Sequence, residues 1–243
     1  MRAYLRFEIR RLIRDPRLLI FSVLGPVVTY LIFSSWSNGD QLEGLPAAQA
    51  VMIGLAGYGA VAGVLMVTSA VSQERAVGWL HQLRVTPLPP WQAVTVKAFL
   101  STITAIPPVL AVGIAARLQH HVELSAGRWT TLLLLMWAGT VPFALLGLAI
   151  GYGLSPQLAQ ATNFLVFLAL AVLGGLLAPA AYFPGALQRL AHTLPTYRYA
   201  ELGWRSAAGQ APTLSGVAVL AAWTALFATL AAWAYRRSTA RPR

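Results

Sequence analysis

Apolar positions in this chain come in long runs. The two-residue alternation of a half-buried strand is absent, and the three-and-four spacing of a surface helix is confined to short pieces. The runs are about Leu18–Trp36, Val51–Ser72, Ala98–Ala116, Trp129–Tyr152, Ala161–Tyr182 and Leu214–Tyr235, and none contains Asp, Glu, Lys or Arg. A helix needs about 20 apolar residues to cross about 30 Å of hydrocarbon, so six crossings are predicted. Trp36, Trp129, Tyr152, Tyr182 and Tyr235 stand at run ends, where amphipathic rings favour the membrane–water boundary. Gly174, Gly175 and Pro179 weaken the fifth run towards its end. The pattern predicts an all-α polytopic membrane protein, one transmembrane domain over residues 1–243.

Between the runs, helical spacing returns in amphipathic form. Over Met1–Arg17, Leu5, Ile9, Leu12 and Ile13 share one face and Arg6, Arg10, Arg11 and Arg14 the other, with Pro16 closing the segment. This predicts an interfacial helix on the membrane surface. Over Ser72–Arg84, Ala76, Trp79, Leu80 and Leu83 form an apolar stripe beside Glu74, Arg75, His81, Gln82 and Arg84. Thr86 before Pro87, then Pro89 and Pro90, stop that helix. Leu187, Leu190, Ala191 and Leu194 make a third short apolar face between the fifth and sixth runs.

Composition and charge sharpen this picture. The 243 residues are 57% hydrophobic and only 10% charged, against about 25% charged in soluble domains. The net charge of +11 suits anionic headgroups, because the arginines flank apolar runs; no basic patch interleaves with stacking aromatics, which argues against nucleic acid. Arg2, Arg6, Arg10, Arg11, Arg14, Arg17, Arg75, Arg84, Lys97, Arg236, Arg237, Arg241 and Arg243 fall on one side. Only Arg117, Arg128, Arg189, Arg198 and Arg205 fall on the other. The positive-inside bias then predicts cytoplasmic termini, with the loop carrying Asp40 and Glu43 outside. The single lysine amid many arginines fits a GC-rich bacterial coding bias, and the N-terminal region lacks the form of a cleaved signal.

The chemistry is mostly negative. The apolar runs hold no ionisable relay for ion coupling. The chain has no cysteine, His120 and His121 lack the companions of a metal site, and no G-x-S-x-G elbow is present. Lys97 follows Val96, so no phosphate loop exists. Uphill movement of a solute would need energy from another protein. Gly59–Gly63 and Gly147–Gly151 are G-x-x-x-G pairs that permit close helix approach.

The stretch SQERAVGWLHQLRVTPLPPWQAVTVK resembles the cytoplasmic signature of ABC type-2 permeases, the membrane subunits of a class of ABC exporters. Glu74 and Arg75 match its acidic–basic start, Gly78 its glycine, Leu80 and Leu83 its apolar positions, Thr86-Pro87-Leu88 its stop and Lys97 its closing basic residue. Ala76 and His81 replace acids common there. Residues Leu176–Ala207 are similar to the family's external segment of short re-entrant helices between spans five and six. Pro184, Leu194, Pro195, Thr196, Tyr197, Glu201 and Arg205 stand at its marked positions.

The resemblance implies a permease working with a second permease, usually an identical copy, and two separately encoded ATPase subunits. No cofactor would lie on this chain; ATP and Mg would sit on the partner. Residues 72–84 would be the coupling helix, with Trp79, Leu80 and Leu83 in an ATPase groove and Glu74 and Arg75 at its rim. The location implied is the bacterial cytoplasmic membrane. An uncharged, apolar path suits a hydrophobic or amphiphilic solute, and the daunorubicin-resistance type of drug exporter is similar in length and topology. A lipid-linked glycan exporter, a nucleotide-independent facilitator or channel, and a non-transporting scaffold remain alternatives.

Overall fold

A computed structural model of the chain describes residue 16 and residues 20–34, 41–76 and 90–240. The expected interfacial helix over 1–17 lies outside them, as does most of the expected coupling segment. A π-helical turn, Ile20–Leu24, leads into α1, Gly25–Ser34. A two-stranded antiparallel hairpin follows, Gln41–Leu42 (β1) with Leu45–Pro46 (β2). Its two-residue turn is Glu43–Gly44, with φ of 52° and 74°. Positive φ at both positions gives the turn a twist matched to its strands. This hairpin is a small addition to the expected all-helical fold, with Leu42 and Leu45 buried.

The helix α2, Ala47–Ala76, is the axis of the molecule. Its small residues let α1, α4, α6, α7 and α9 pack around it. A span ending at Ser72 with a new helix starting there is not what forms: α2 runs unbroken through Ser72 to Ala76. Its 30 residues reach about 45 Å, longer than the hydrocarbon.

Two of the expected spans are broken. α3, Pro90–Ile103, and α4, Ile106–His120, meet at Thr104–Ala105. Pro107 and Pro108 cannot donate to the carbonyls of Ile103 and Thr104, so the ladder lapses. α5, Ala126–Ala138, and α6, Val141–Gly153, meet at Gly139–Thr140, with Pro142 in the first turn of α6. The Trp137 indole donates to Thr102 Oγ1 at 3.2 Å, tying the neighbourhood of one break to the other.

α7 covers Pro156–Leu173. The fifth span therefore begins before Ala161 and stops well short of Tyr182, because Gly174 and Gly175 (φ 78°) turn the chain. After a 3-10 turn at Ala180–Tyr182 come α8, Gly185–Thr193, and α9, Pro195–Ala207, then α10, Leu214–Ala240. The expected apolar face of α8 is only partly used, with Ala191 buried and Leu190 exposed. The real anchor is α9, whose Tyr197, Tyr199, Ala200, Leu202, Trp204 and Ala207 are buried. Thr196 Oγ1 donates to the Leu170 carbonyl at 2.7 Å, and the Trp204 indole to the Ala50 carbonyl at 3.1 Å. α9 is thereby fixed to the end of α7 and the start of α2.

Five stretches among the described residues are long and apolar enough to cross a membrane: Ala47–Ala76, Lys97–His120, Ala126–Gly153, Pro156–Leu173 and Leu214–Ser238. Ile20–Ser34 is apolar but shorter as described, and the remainder of the run Leu18–Trp36 falls outside. The protein is mostly helical and polytopic.

Candidate functional site

The last turn of α2 presents Glu74 and Arg75. Sequence reasoning assigned both to the rim of a partner, but here they engage this chain. Glu74 forms an ion pair with Lys97 of α3. The lysine side chain is 7% exposed and the carboxylate 17%. Neither charge could be held there alone at low cost, so pairing is what permits the burial. Arg75 reaches across to α6 and donates to the carbonyls of Tyr152 and Leu154, the latter at 2.5 Å. The last carbonyls of a helix have no partner within it and carry the negative end of its dipole. Arg75 therefore caps α6 from a neighbouring helix. The Tyr152 ring stands edge-on to Tyr235 of α10 at 5.2 Å. Val71, Leu148, Tyr152, Ala231 and Ala234 form a small apolar cluster above this polar layer.

One layer thus joins α2, α3, α6 and α10 at the end of the molecule where 77–89 departs and returns. Gly78, Trp79, Leu80, Leu83, Thr86 and Pro87 lie within that stretch, outside the described residues. What is described is its two footings. The ion pair holds α2 and α3 to each other, and Arg75 ties α2 to the end of α6. Sequence reasoning matched Lys97 to a pattern but missed it as the partner of Glu74. The available signal was opposite charges near the two ends of one inter-span segment.

The four glycines predicted to pack helices all sit at close approaches within the chain. A Cβ on Gly59 would meet the Ser22 carbonyl, Pro108 Cβ at 2.7 Å and Pro26 Cγ at 2.8 Å; on Gly63 it would come within 3.2 Å of the Thr104 carbonyl. On Gly147 it would overlap Thr68 Oγ1, and on Gly151 it would lie 2.9 Å from the Thr68 carbonyl. The first pair seats α2 against α1 and the α3–α4 break. The second seats α6 against α2, directly above Arg75.

At the opposite end lies a second polar assembly that sequence reasoning did not find. The Tyr197 hydroxyl donates to Glu43 Oε2 at 3.3 Å, and the His192 ring stacks on Tyr197 at 4.2 Å. Arg198 donates to the His192 carbonyl and to Glu201, each at 2.7 Å, and Glu201 accepts from Thr213 Oγ1 at 3.0 Å. Burial raises the Glu43 carboxyl above its ordinary value; the Tyr197 hydrogen bond and nearby His192 oppose the shift, and Glu201 adds to it. The assembly fastens the hairpin, α8, α9 and the start of α10 together. Among the described residues, no three His, Asp or Glu side chains are placed to hold a metal ion.

Residues 1–203 match the sequence profile of the family described as "ABC-2 type transporter". The chain belongs to the ABC-2 type transporter family. It is also 22% identical over 234 residues to "Putative transport permease YvfS" of Bacillus subtilis (strain 168), covering 96% of each chain. The ABC-2 membership and the five apolar helices together describe a multi-pass membrane transport permease. The ABC-2 profile ends within α9 and includes Glu74, Arg75 and Lys97 of one polar layer and Glu43, His192, Tyr197, Arg198 and Glu201 of the other.

Proposed function

We propose that this ABC-2 permease is the membrane subunit of an ATP-driven exporter, and that it moves a hydrophobic or amphiphilic solute out across the bacterial cytoplasmic membrane. Two copies of the chain pair with two ATPase subunits, which carry ATP and Mg. Six helices cross, the first being 18–36, and both termini are cytoplasmic. The observation that supports this reading most is the double footing of residues 77–89, with Glu74 ion-paired to Lys97 and Arg75 capping α6. A segment held this way transmits force to three helices at once. The apolar stripe Trp79, Leu80 and Leu83 sits in an ATPase groove, with Gly78 giving close approach and Thr86-Pro87 ending the helix. Glu74 and Arg75 brace it from the permease side. The daunorubicin-resistance type of drug exporter is the subgroup favoured for the solute.

The test is Leu83→Asp in permease and ATPase co-reconstituted in liposomes. The variant is expected to express and assemble while losing solute-stimulated ATP hydrolysis. Unchanged stimulation would remove the segment from the mechanism. Solute movement at the same rate with no ATPase present would replace the exporter by a facilitator.

A further inference from the structure

Most interior threonine hydroxyls among the described residues find a carbonyl. Thr68 Oγ1 donates to Val64 at 2.9 Å, Thr104 to Ser101 and Thr140 to Trp137 at 2.6 Å each, and Thr196 to Leu170 at 2.7 Å. Against that background a few buried groups stand out, Ser206 Oγ of α9 and His120 Nε2 among them, and two bear on the helices around α2 at membrane depth. Asn163 of α7 is 5% exposed, and neither its amide oxygen nor its amide nitrogen has a hydrogen-bonding partner. The Tyr199 hydroxyl of α9 is likewise buried and unpartnered, on a residue with no exposure. An unpartnered buried polar group is costly and rare in native interiors. At membrane depth no water competes to satisfy an amide, so one left unpartnered there calls for an explanation.

Their positions narrow the explanation. The Tyr199 ring stands edge-on to Phe143 at 5.6 Å and fills notches left by Gly57 and Gly139. A Cβ at Gly139 would lie 2.6 Å from the ring. Gly139 begins the break between α5 and α6, near the middle of the stretch Ala126–Gly153. Asn163 stands seven residues into α7, about 10 Å along it. It is one turn before Phe167, whose ring packs on Tyr58 of α2 at 4.8 Å. α7 and α9 both pack against α2 and against each other. Because the atoms concerned are enclosed, a second copy outside the bundle cannot reach them. A solute reaching them would enter as these helices part, and both helices pack against α2, whose far end carries the Glu74–Arg75 footing. Both groups are uncharged and can donate and accept. Glu74, Arg75, Lys97, Arg117, Arg128, Arg236 and Arg237 all stand in the end turns of the described apolar stretches, and the middle of each carries no charged side chain to pair with an ion.

We propose that Asn163 and Tyr199 are the polar contacts of the solute path, and that the solute is an uncharged amphiphile with a hydrogen-bonding group such as an amide, carbonyl or hydroxyl. This rests on the exporter reading and specifies its substrate class. The test uses dodecanamide as probe and n-dodecane as its apolar counterpart, with the permease in lipid nanodiscs, alone and with its ATPase. Dodecanamide is expected to raise the melting temperature of the permease and to stimulate ATP hydrolysis by the complex; dodecane is expected to do neither. Tyr199→Phe and Asn163→Leu should melt at or above the wild-type temperature, because no hydrogen bond is lost. Each should need at least about tenfold more dodecanamide for a half-maximal response. Variants responding as wild type would overturn the site, as would variants melting markedly lower, which would mean that the groups hold structural partners. No response of the wild type to dodecanamide in either readout would overturn the solute class. A melting shift that the variants lose, without stimulated hydrolysis in any sample, would sink the exporter reading and leave the site standing.

Discussion

Gly147 and Glu43 show how single residues set the two ends of this permease. Gly147 is a contact surface: α6 lies so close to α2 that a methyl group there would overlap the Thr68 side chain. Gly147→Ala is expected to cost about 1–3 kcal/mol through overpacking. Gly127→Ala, in the first turn of α5 with nothing within 4 Å of its Cβ, should be neutral or stabilising by up to about 1 kcal/mol. Thermal unfolding of the two variants side by side checks the difference, and equal effects would mean that the notch is not a tight contact. Glu43 is an electrostatic case. Burial raises its carboxyl, so the folded chain keeps a proton that the unfolded chain has released. Stability then falls as pH rises from the ordinary glutamate value through the raised one. Glu43→Gln ends this titration and leaves an amide oxygen for the Tyr197 hydroxyl. The variant should melt higher than wild type at about pH 8, with an advantage that shrinks as pH falls towards about 5. An advantage independent of pH would contradict the assigned cause.

Between elements, the decisive contact is the Glu74–Lys97 pair joining α2 to α3. Lys97→Met would leave a largely buried carboxylate without its counter-charge. The expected loss is about 1–3 kcal/mol, less than for a fully enclosed pair because the carboxylate keeps some exposure. Glu74→Gln combined with Lys97→Met should recover most of it. A double-mutant cycle by thermal unfolding measures the coupling, and strictly additive losses would show that the pair carries none. How much of this was legible in the sequence varies with the physics involved. Long apolar runs are a burial signal, so five of the six expected crossings coincide with long apolar helices among the described residues, with ends off by several residues where Gly174 and Gly175 stop α7 early. The breaks at Thr104–Ala105 and Gly139–Thr140 were missed although Pro107, Pro108 and Pro142 mark them, because apolar periodicity does not register a lost ladder bond. The second polar assembly, of Glu43, His192, Tyr197 and Glu201, was out of reach, since it joins Glu43 to residues more than 140 positions away that only the packed helices bring together. The pairing of Glu74 with Lys97 was half legible, visible as two charges and invisible as one contact.

At the scale of the whole molecule, the two polar layers lie at opposite ends of α2, and the proposed mechanism requires them to face opposite sides of the membrane. The layer of Glu74, Arg75 and Lys97 must face the cytoplasm, where an ATPase can load the segment between α2 and α3. The assembly of Glu43, Tyr197 and Glu201 must face outward. The chain contains no cysteine, so single introduced thiols report their side without background. Gln157, exposed in the first turn of α7, shares the end of Arg75 through nearby Leu154; Gln210, exposed between α9 and α10, shares the end of Glu201. In intact cells a membrane-impermeant maleimide is expected to label Gln210→Cys, and to label Gln157→Cys only after permeabilisation. Labelling of both from outside would mean either that α7 does not cross or that α8 and α9 carry the chain back across instead of forming a re-entrant pair. Labelling in the reverse order would put the coupling segment beyond the reach of any cytoplasmic motor. The exporter mechanism would then fail even though every contact within the chain stayed as described.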